Sequence, residues 1–208
     1  MLKTYKVLSI LLDYPNLKTQ ELLAQVMPLL EDEMLLNRKA LRNILSFIEC
    51  YEEMDLMEWQ RDYSKCFDQA AATSLYLFNH TYGNPKKREV AMIDLKRFYA
   101  SEGMELGSNK LPDHLPVFLE FIAETQSLEE GANLMAETAD VLNKIADSLD
   151  LSGSPYRLLM TSLIHLAKQA TGESMTEKEK KEDEILHPCE ACFFTGKEIL
   201  FEEDPLNQ

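Results

Sequence analysis

The chain has 208 residues, of which 45% are hydrophobic and 27% charged, the balance of a folded globular protein with one ordinary core rather than a disordered one. Its formal net charge of -15 and pI near 4.7 exclude a phosphate backbone as the expected partner, because no basic face is evident, and favour a cationic peptide segment or simple solubility. No apolar run approaches the roughly 20 residues needed to cross a bilayer, so direct membrane insertion is not expected.

The opening MLKTYKVLSILLDYP has the short apolar core of a signal peptide. Asp13 and Pro15 stand where small cleavage-site residues would be needed, so it reads as a first amphipathic helix, Lys3 to Tyr14, stopped by Pro15. A second helix is expected from Lys18 to Met27, with Pro28 as a bend or an end. A third follows Asn37, with Leu41, Ile44, Leu45, Ile48 and Tyr51 at bundle spacing. Asp55 and Glu58 form a capping pattern for a fourth, which carries Trp59, Tyr63, Cys66 and Phe67.

Punctuation then becomes denser. A short helix through Leu75, Tyr76, Phe78 and His80 is expected to end at Gly83, and Asn84 with Pro85 opens another, carried by Val90, Ile93, Leu95, Phe98 and Tyr99 to Gly103. Lys86, Lys87 and Arg88 lie in its first turn, opposing the helix dipole. The stretch Leu111 to Phe121, LPDHLPVFLEF, follows. Pro112 keeps Leu111 extended, Asp113 is the expected N-cap, and Leu115, Phe118, Leu119 and Ile122 repeat at the spacing of a buried helical face. His114 sits at that corner, either as a satisfied polar residue or facing a ligand. Ser127 and Glu130 cap a long helix to about Leu149, and Ser154 with Pro155 opens a last one to Gly172. No alternating strand pattern competes, so the fold class is all-α, a single-domain bundle of about eight to ten helices. Residues 1–172 form the helical domain and 173–208 a charged linker and C-terminal appendage, which docks through Phe193, Phe194, Ile199 and Leu200 or stays mobile.

Phosphate-binding glycine loops and the G-x-S-x-G nucleophile pattern are absent, and no catalytic constellation is evident, so an enzyme is not expected. Four cysteines with two inside helical patterns do not make a secreted disulfide framework, which points to the cytoplasm. Cys189 and Cys192 form a C-x-x-C with His187 upstream. Structural zinc wants four ligands, so unligated thiols are the reading preferred over metal contact.

Several stretches together resemble the NarJ type of molybdoenzyme assembly chaperone, also called the nitrate reductase delta subunit family, within the wider TorD and DmsD-like chaperones. They are LLDYP at Leu11 to Pro15, YSKCFD at Tyr63 to Asp68, TSLYLFNHTYG at Thr73 to Gly83, AMIDL at Ala91 to Leu95, LPDHLPVFLEF, and more weakly SPYRLLMTSLIHLA from Ser154. The resemblance covers most of residues 1 to 170 and leaves the tail out. It implies an all-helical, cofactor-free cytoplasmic chaperone that binds the N-terminal segment of an apo molybdoenzyme catalytic subunit as an amphipathic helix. Insertion of molybdenum cofactor and iron–sulfur clusters follows, with cofactor-insertion proteins as further partners.

Matching positions are Pro112, Asp113 and His114 of the D-H corner, Leu75, Phe78, His80 and Gly83 of the preceding L-F-x-H-x-x-G run, and Arg88 and Asp94 of the following helix; these, without Gly83 and with Tyr76 and Tyr82 from the same short helix, are the expected partner-binding residues. Asn79 stands where the family has an acid, Tyr82 replaces a second histidine, and Gln69 to Ala72 lacks the arginine often found there. The C-x-x-C tail also departs from the nitrate reductase branch, which leaves the client open to a related oxidoreductase. The alternative is a metal-binding accessory protein using His187, Cys189 and Cys192.

Overall fold

A computed structural model describes residues 1–107 and 110–171, the last three by backbone alone. Nine α-helices form among the described residues: α1 (Lys3–Leu11), α2 (Leu17–Glu33), α3 (Arg38–Tyr51), α4 (Leu56–Phe67), α5 (Leu77–Thr81), α6 (Pro85–Ser101), α7 (Leu115–Thr125), α8 (Leu128–Leu151) and α9 (Tyr156–Thr171). A 3₁₀ turn at Ala71–Thr73 precedes α5. The all-α class is as expected. The linker and appendage at 173–208, with His187, Cys189 and Cys192, lie outside the described residues.

The caps explain most boundaries. Asn16 Oδ1 accepts from Lys18 N–H at 2.9 Å, Asn37 Oδ1 from Ala40 N–H at 2.8 Å, and Asp55 Oδ1 from Met57 N–H at 2.9 Å, which satisfies amides that the first turn leaves orphaned. Ser127 and Glu130 form a reciprocal capping box at the start of α8. Pro28 does not end α2 at Met27: the helix continues to Glu33 and closes at Met34, which adopts a left-handed φ of 53°. Val26 and Leu30 are both fully buried across that point, while Ala24, whose carbonyl loses its amide partner to the proline ring, is exposed to water. Packing outweighs propensity here.

Two helical pairs build the core. A short turn joins α8 to α9 as a helical hairpin, with Leu142, Ile145 and Leu149 of α8 and Leu159, Leu163 and Leu166 of α9 buried. Helix α1 packs on α7, fixed by Leu2 N–H to the Ala123 carbonyl at 2.8 Å and Ser9 Oγ to the Pro116 carbonyl at 2.7 Å. Lys6 reaches Glu120 at 2.7 Å and Glu124 at 3.2 Å across the same seam. Tyr156 is ringed by Phe47, Tyr51, Tyr63 and Phe67, and its hydroxyl accepts from the Trp59 indole N–H at 2.7 Å.

Helix α6 differs from the others. Its buried apolar residue is Tyr99, with Leu95 half-buried, whereas Val90, Ile93 and Phe98 of the same apolar set are exposed. Leu45 of α3 is exposed in the same way.

Candidate functional site

The chain between α4 and α7 is built around two extended stretches that meet edge to edge. Leu77 N–H donates to the Asp113 carbonyl at 2.9 Å and Leu115 N–H to the Leu75 carbonyl at 2.8 Å, which places Tyr76 opposite His114 in an isolated antiparallel bridge. Pro112 biases Leu111 away from helix, and Leu115 N–H, at the first position of α7, has no partner within its own helix and pairs with Leu75 instead. The expected short helix is accordingly trimmed: Leu75 lies in a bend, Tyr76 is extended, and α5 begins at Leu77. It ends at Thr81, and Gly83 does not take a left-handed conformation.

Asp113 has a different role from the one the sequence suggested. The N-cap of α7 is His114, without a side-chain cap bond, and the Asp113 carboxylate turns toward α5 and α6 instead. Its Oδ2 accepts from Phe78 N–H at 3.4 Å and lies 3.5 Å from Arg88 Nη2. The residue is fully buried, and burial pushes its pKa up against the opposing pull of Arg88. Tyr99 supports the same corner from α6 by donating its hydroxyl to the Pro112 carbonyl at 2.9 Å, while its ring stacks on Phe121 with centroids 4.1 Å apart. Ser74 holds the other strand, accepting from Asn79 Nδ2 at 2.8 Å through Oγ and from His80 Nε2 at 2.8 Å through its carbonyl.

With the backbone thus fixed, Tyr76 and His114 stand together at the surface, their ring centroids 4.9 Å apart and Tyr76 37% exposed. Burial lowers the His114 pKa. The carboxylates of Asp13 and Asp68 pull it the other way and Lys110 adds to the lowering, so the imidazole is neutral near pH 7. Asp13 and Asp68 are both exposed, and Tyr14 beside Asp13 is 47% exposed with its ring edge-on to Tyr63 at 5.5 Å. The result is an aromatic, acid-flanked face made from four separate segments.

Of the expected site residues, Pro112, Asp113, His114, Leu75, Tyr76 and Phe78 come together here. Leu75, Pro112 and Asp113 are buried and can brace a ligand site without touching the ligand. Tyr82 packs edge-on against Phe78 at 5.1 Å and, with Arg88, borders an open depression of about 430 Å³ that also involves Pro85, Met92 and Ile93. His80 braces the Ser74 strand. Asp94 is not part of the corner: it is exposed on α6 and pairs with Arg97 at 3.6 Å. Asp13, Tyr14 and Asp68 were not singled out as site residues from the sequence. The signal was present in a Tyr-Pro pair closing an apolar helix, where a large ring has no core position to fill.

Among the described residues no group of three His, Cys, Asp or Glu side chains is placed to hold a metal, and no helix is long and apolar enough to cross a membrane. The thiols of Cys50 and Cys66 are both pushed up by burial, which makes them poor nucleophiles.

Comparison with known proteins agrees with the motifs. The family model described as nitrate reductase delta subunit matches residues 31–162. The nitrate reductase molybdenum cofactor assembly chaperone NarJ of Escherichia coli (strain K12) is 32% identical over 164 residues, 79% of this chain and 69% of that protein. The probable chaperone NarW of the same organism is 26% identical over 213 residues, 98% of this chain and 89% of NarW, and the probable NarJ of Bacillus subtilis (strain 168) is 26% identical over 161 residues, 77% and 86% respectively. The match runs from the end of α2 to the middle of α9 and takes in the whole Tyr76–His114 corner. This chain belongs to the nitrate reductase delta subunit family.

Proposed function

We propose that this protein is a cytoplasmic, system-specific chaperone, not an enzyme, that binds the N-terminal segment of an apo molybdoenzyme catalytic subunit. The client is a nitrate reductase catalytic subunit or a related oxidoreductase. Binding holds it competent until molybdenum cofactor and iron–sulfur clusters have been inserted. The observation that carries this reading is the Tyr76–His114 pair, an exposed ring beside a half-buried imidazole, held on an antiparallel bridge with the carboxylates of Asp13 and Asp68 acting on the imidazole. Rings anchor an apolar helix face and carboxylates receive its basic residues, the two contacts that an amphipathic cationic segment offers. The family's named members are assembly chaperones for nitrate reductase, which supports the client class.

A titration of the full chain with a fluorescent peptide spanning the N-terminal segment of the nitrate reductase catalytic subunit from the same organism tests the proposal. Saturable one-to-one binding that weakens as salt is raised is expected. Absence of saturable binding would overturn it.

A further inference from the structure

Helix α6 is a basic, apolar surface on a strongly acidic protein. Over Pro85–Ser101 it carries five bases, Lys86, Lys87, Arg88, Lys96 and Arg97, against two acids, Glu89 and Asp94. Arg88 is committed to Asp113 and Arg97 to Asp94, whereas Lys86, Lys87 and Lys96 make no ion pair among the described residues. On the outward side Val90 is 58% and Ile93 46% exposed, and Ile93 borders the open depression beside Tyr82 and Met92. Two unpaired lysines in a first turn also oppose the helix dipole, so an anionic partner there relieves both costs at once.

The rest of this chain contains a segment of the matching character. Residues 172–208 carry eleven acids against four lysines, and within them the stretch 190–204 combines Phe193, Phe194, Ile199, Leu200 and Phe201 with Glu198, Glu202, Glu203 and Asp204. From the end of α9 at Thr171, nineteen residues lead to Glu190. At roughly 3.5 Å per residue such a stretch reaches over 60 Å. A globule of this size is only about 40 Å across, so the whole surface is within range. Tethering raises the local concentration of the segment to the order of 1 mM, which lets a weak contact fill.

We propose that residues 190–204 dock on the outer face of α6, with apolar side chains over Val90 and Ile93 and carboxylates on Lys86, Lys87 and Lys96. The occupant is this chain's own C-terminal segment, chosen by charge and by tether length, and the proposal does not depend on the client reading at Tyr76 and His114.

Carbodiimide cross-linking of the full chain, read by peptide mass spectrometry, tests it by joining lysines to carboxylates in direct contact. Cross-links from Lys86, Lys87 and Lys96 to Glu198, Glu202, Glu203 or Asp204 are expected in monomeric protein, with a yield independent of protein concentration and reduced by high salt. The double variant Val90→Ser and Ile93→Ser changes only exposed side chains, and is expected to lower their yield about tenfold, the equivalent of roughly 1.4 kcal/mol, with its circular dichroism unchanged. Amide exchange across Lys86–Phe98 is expected to rise in the same variant. Three results would overturn the proposal: tail cross-links spread over lysines elsewhere, cross-links confined to dimers, or a yield and exchange indifferent to the double variant.

Discussion

Asp113 lies fully buried with its Oδ2 3.5 Å from Arg88 Nη2, so one ion pair ties the corner before α7 to the first turn of α6. The same carboxylate accepts from Phe78 N–H, while its Oδ1 and the Arg88 Nε have no partner among the described residues. Removing it by Asp113→Ala leaves an amide and a half-exposed guanidinium without their acceptor, at an expected cost of about 2 kcal/mol in chemical unfolding. Asp113→Asn keeps an acceptor and is expected to cost less. The pH dependence separates the two effects. Burial raises the Asp113 pKa in the folded state above its ordinary 3.8, so the native protein holds its proton longer than the unfolded chain does. Stability from this group is therefore fully present below about pH 3.8 and declines as pH rises through the folded value. Relative to wild type, Asp113→Asn should gain as pH rises over that window.

Gly131 is the close contact between α7 and α8. A Cβ at that position would lie 2.7 Å from Ile122 Cγ2, and Ile122 is itself fully buried. Gly131→Ala is ordinarily stabilising within a helix, by about 1 kcal/mol. Here overpacking reverses the sign, and a net loss of about 1–2 kcal/mol is expected in thermal unfolding.

Tyr156 ties α9 to α4 through its hydroxyl and to α3 through its ring. Tyr156→Phe preserves the ring contacts with Phe47 and Phe67 and removes only the acceptor of the Trp59 indole N–H, leaving a buried donor unsatisfied. A loss of about 1–3 kcal/mol is expected, together with a shift in the fluorescence of Trp59, the chain's one tryptophan.

Helix positions were readable from sequence wherever a cap and an apolar face agreed, as at Asn37, Asp55 and Ser127. They failed where tertiary packing overruled the local signal. Pro28 is tolerated because Val26 and Leu30 hold α2 in place on either side of it, and of the apolar residues that carry α6 the fold leaves Val90, Ile93 and Phe98 exposed. At the corner the structure brings Leu75, Tyr76, Phe78, Pro112, Asp113 and His114 together, but the carboxylate of Asp113 serves α5 and α6 rather than capping α7, a relationship across a turn that no local pattern encodes. Asp13, Tyr14 and Asp68 join the site through the packing of α1 and α4 beside it, a long-range relationship that spacing alone does not contain.

His114 links the site to pH. Its folded pKa lies below the ordinary 6.5, so stability from the neutral ring is present above that value and falls as pH drops below it. Protonation also adds a positive charge where a cationic segment is to dock. Client-peptide affinity is therefore expected to fall as pH drops below about 6.5, and to fall less in His114→Asn.

The most direct measurement is the affinity of the full chain for the N-terminal client peptide in Tyr76→Ala, His114→Ala and Phe78→Ala, with folding checked by circular dichroism. Each variant is expected to weaken binding about tenfold or more while remaining helical, as loss of an interfacial ring does. Unchanged affinity in all three folded variants would contradict the assignment of this corner as the client site.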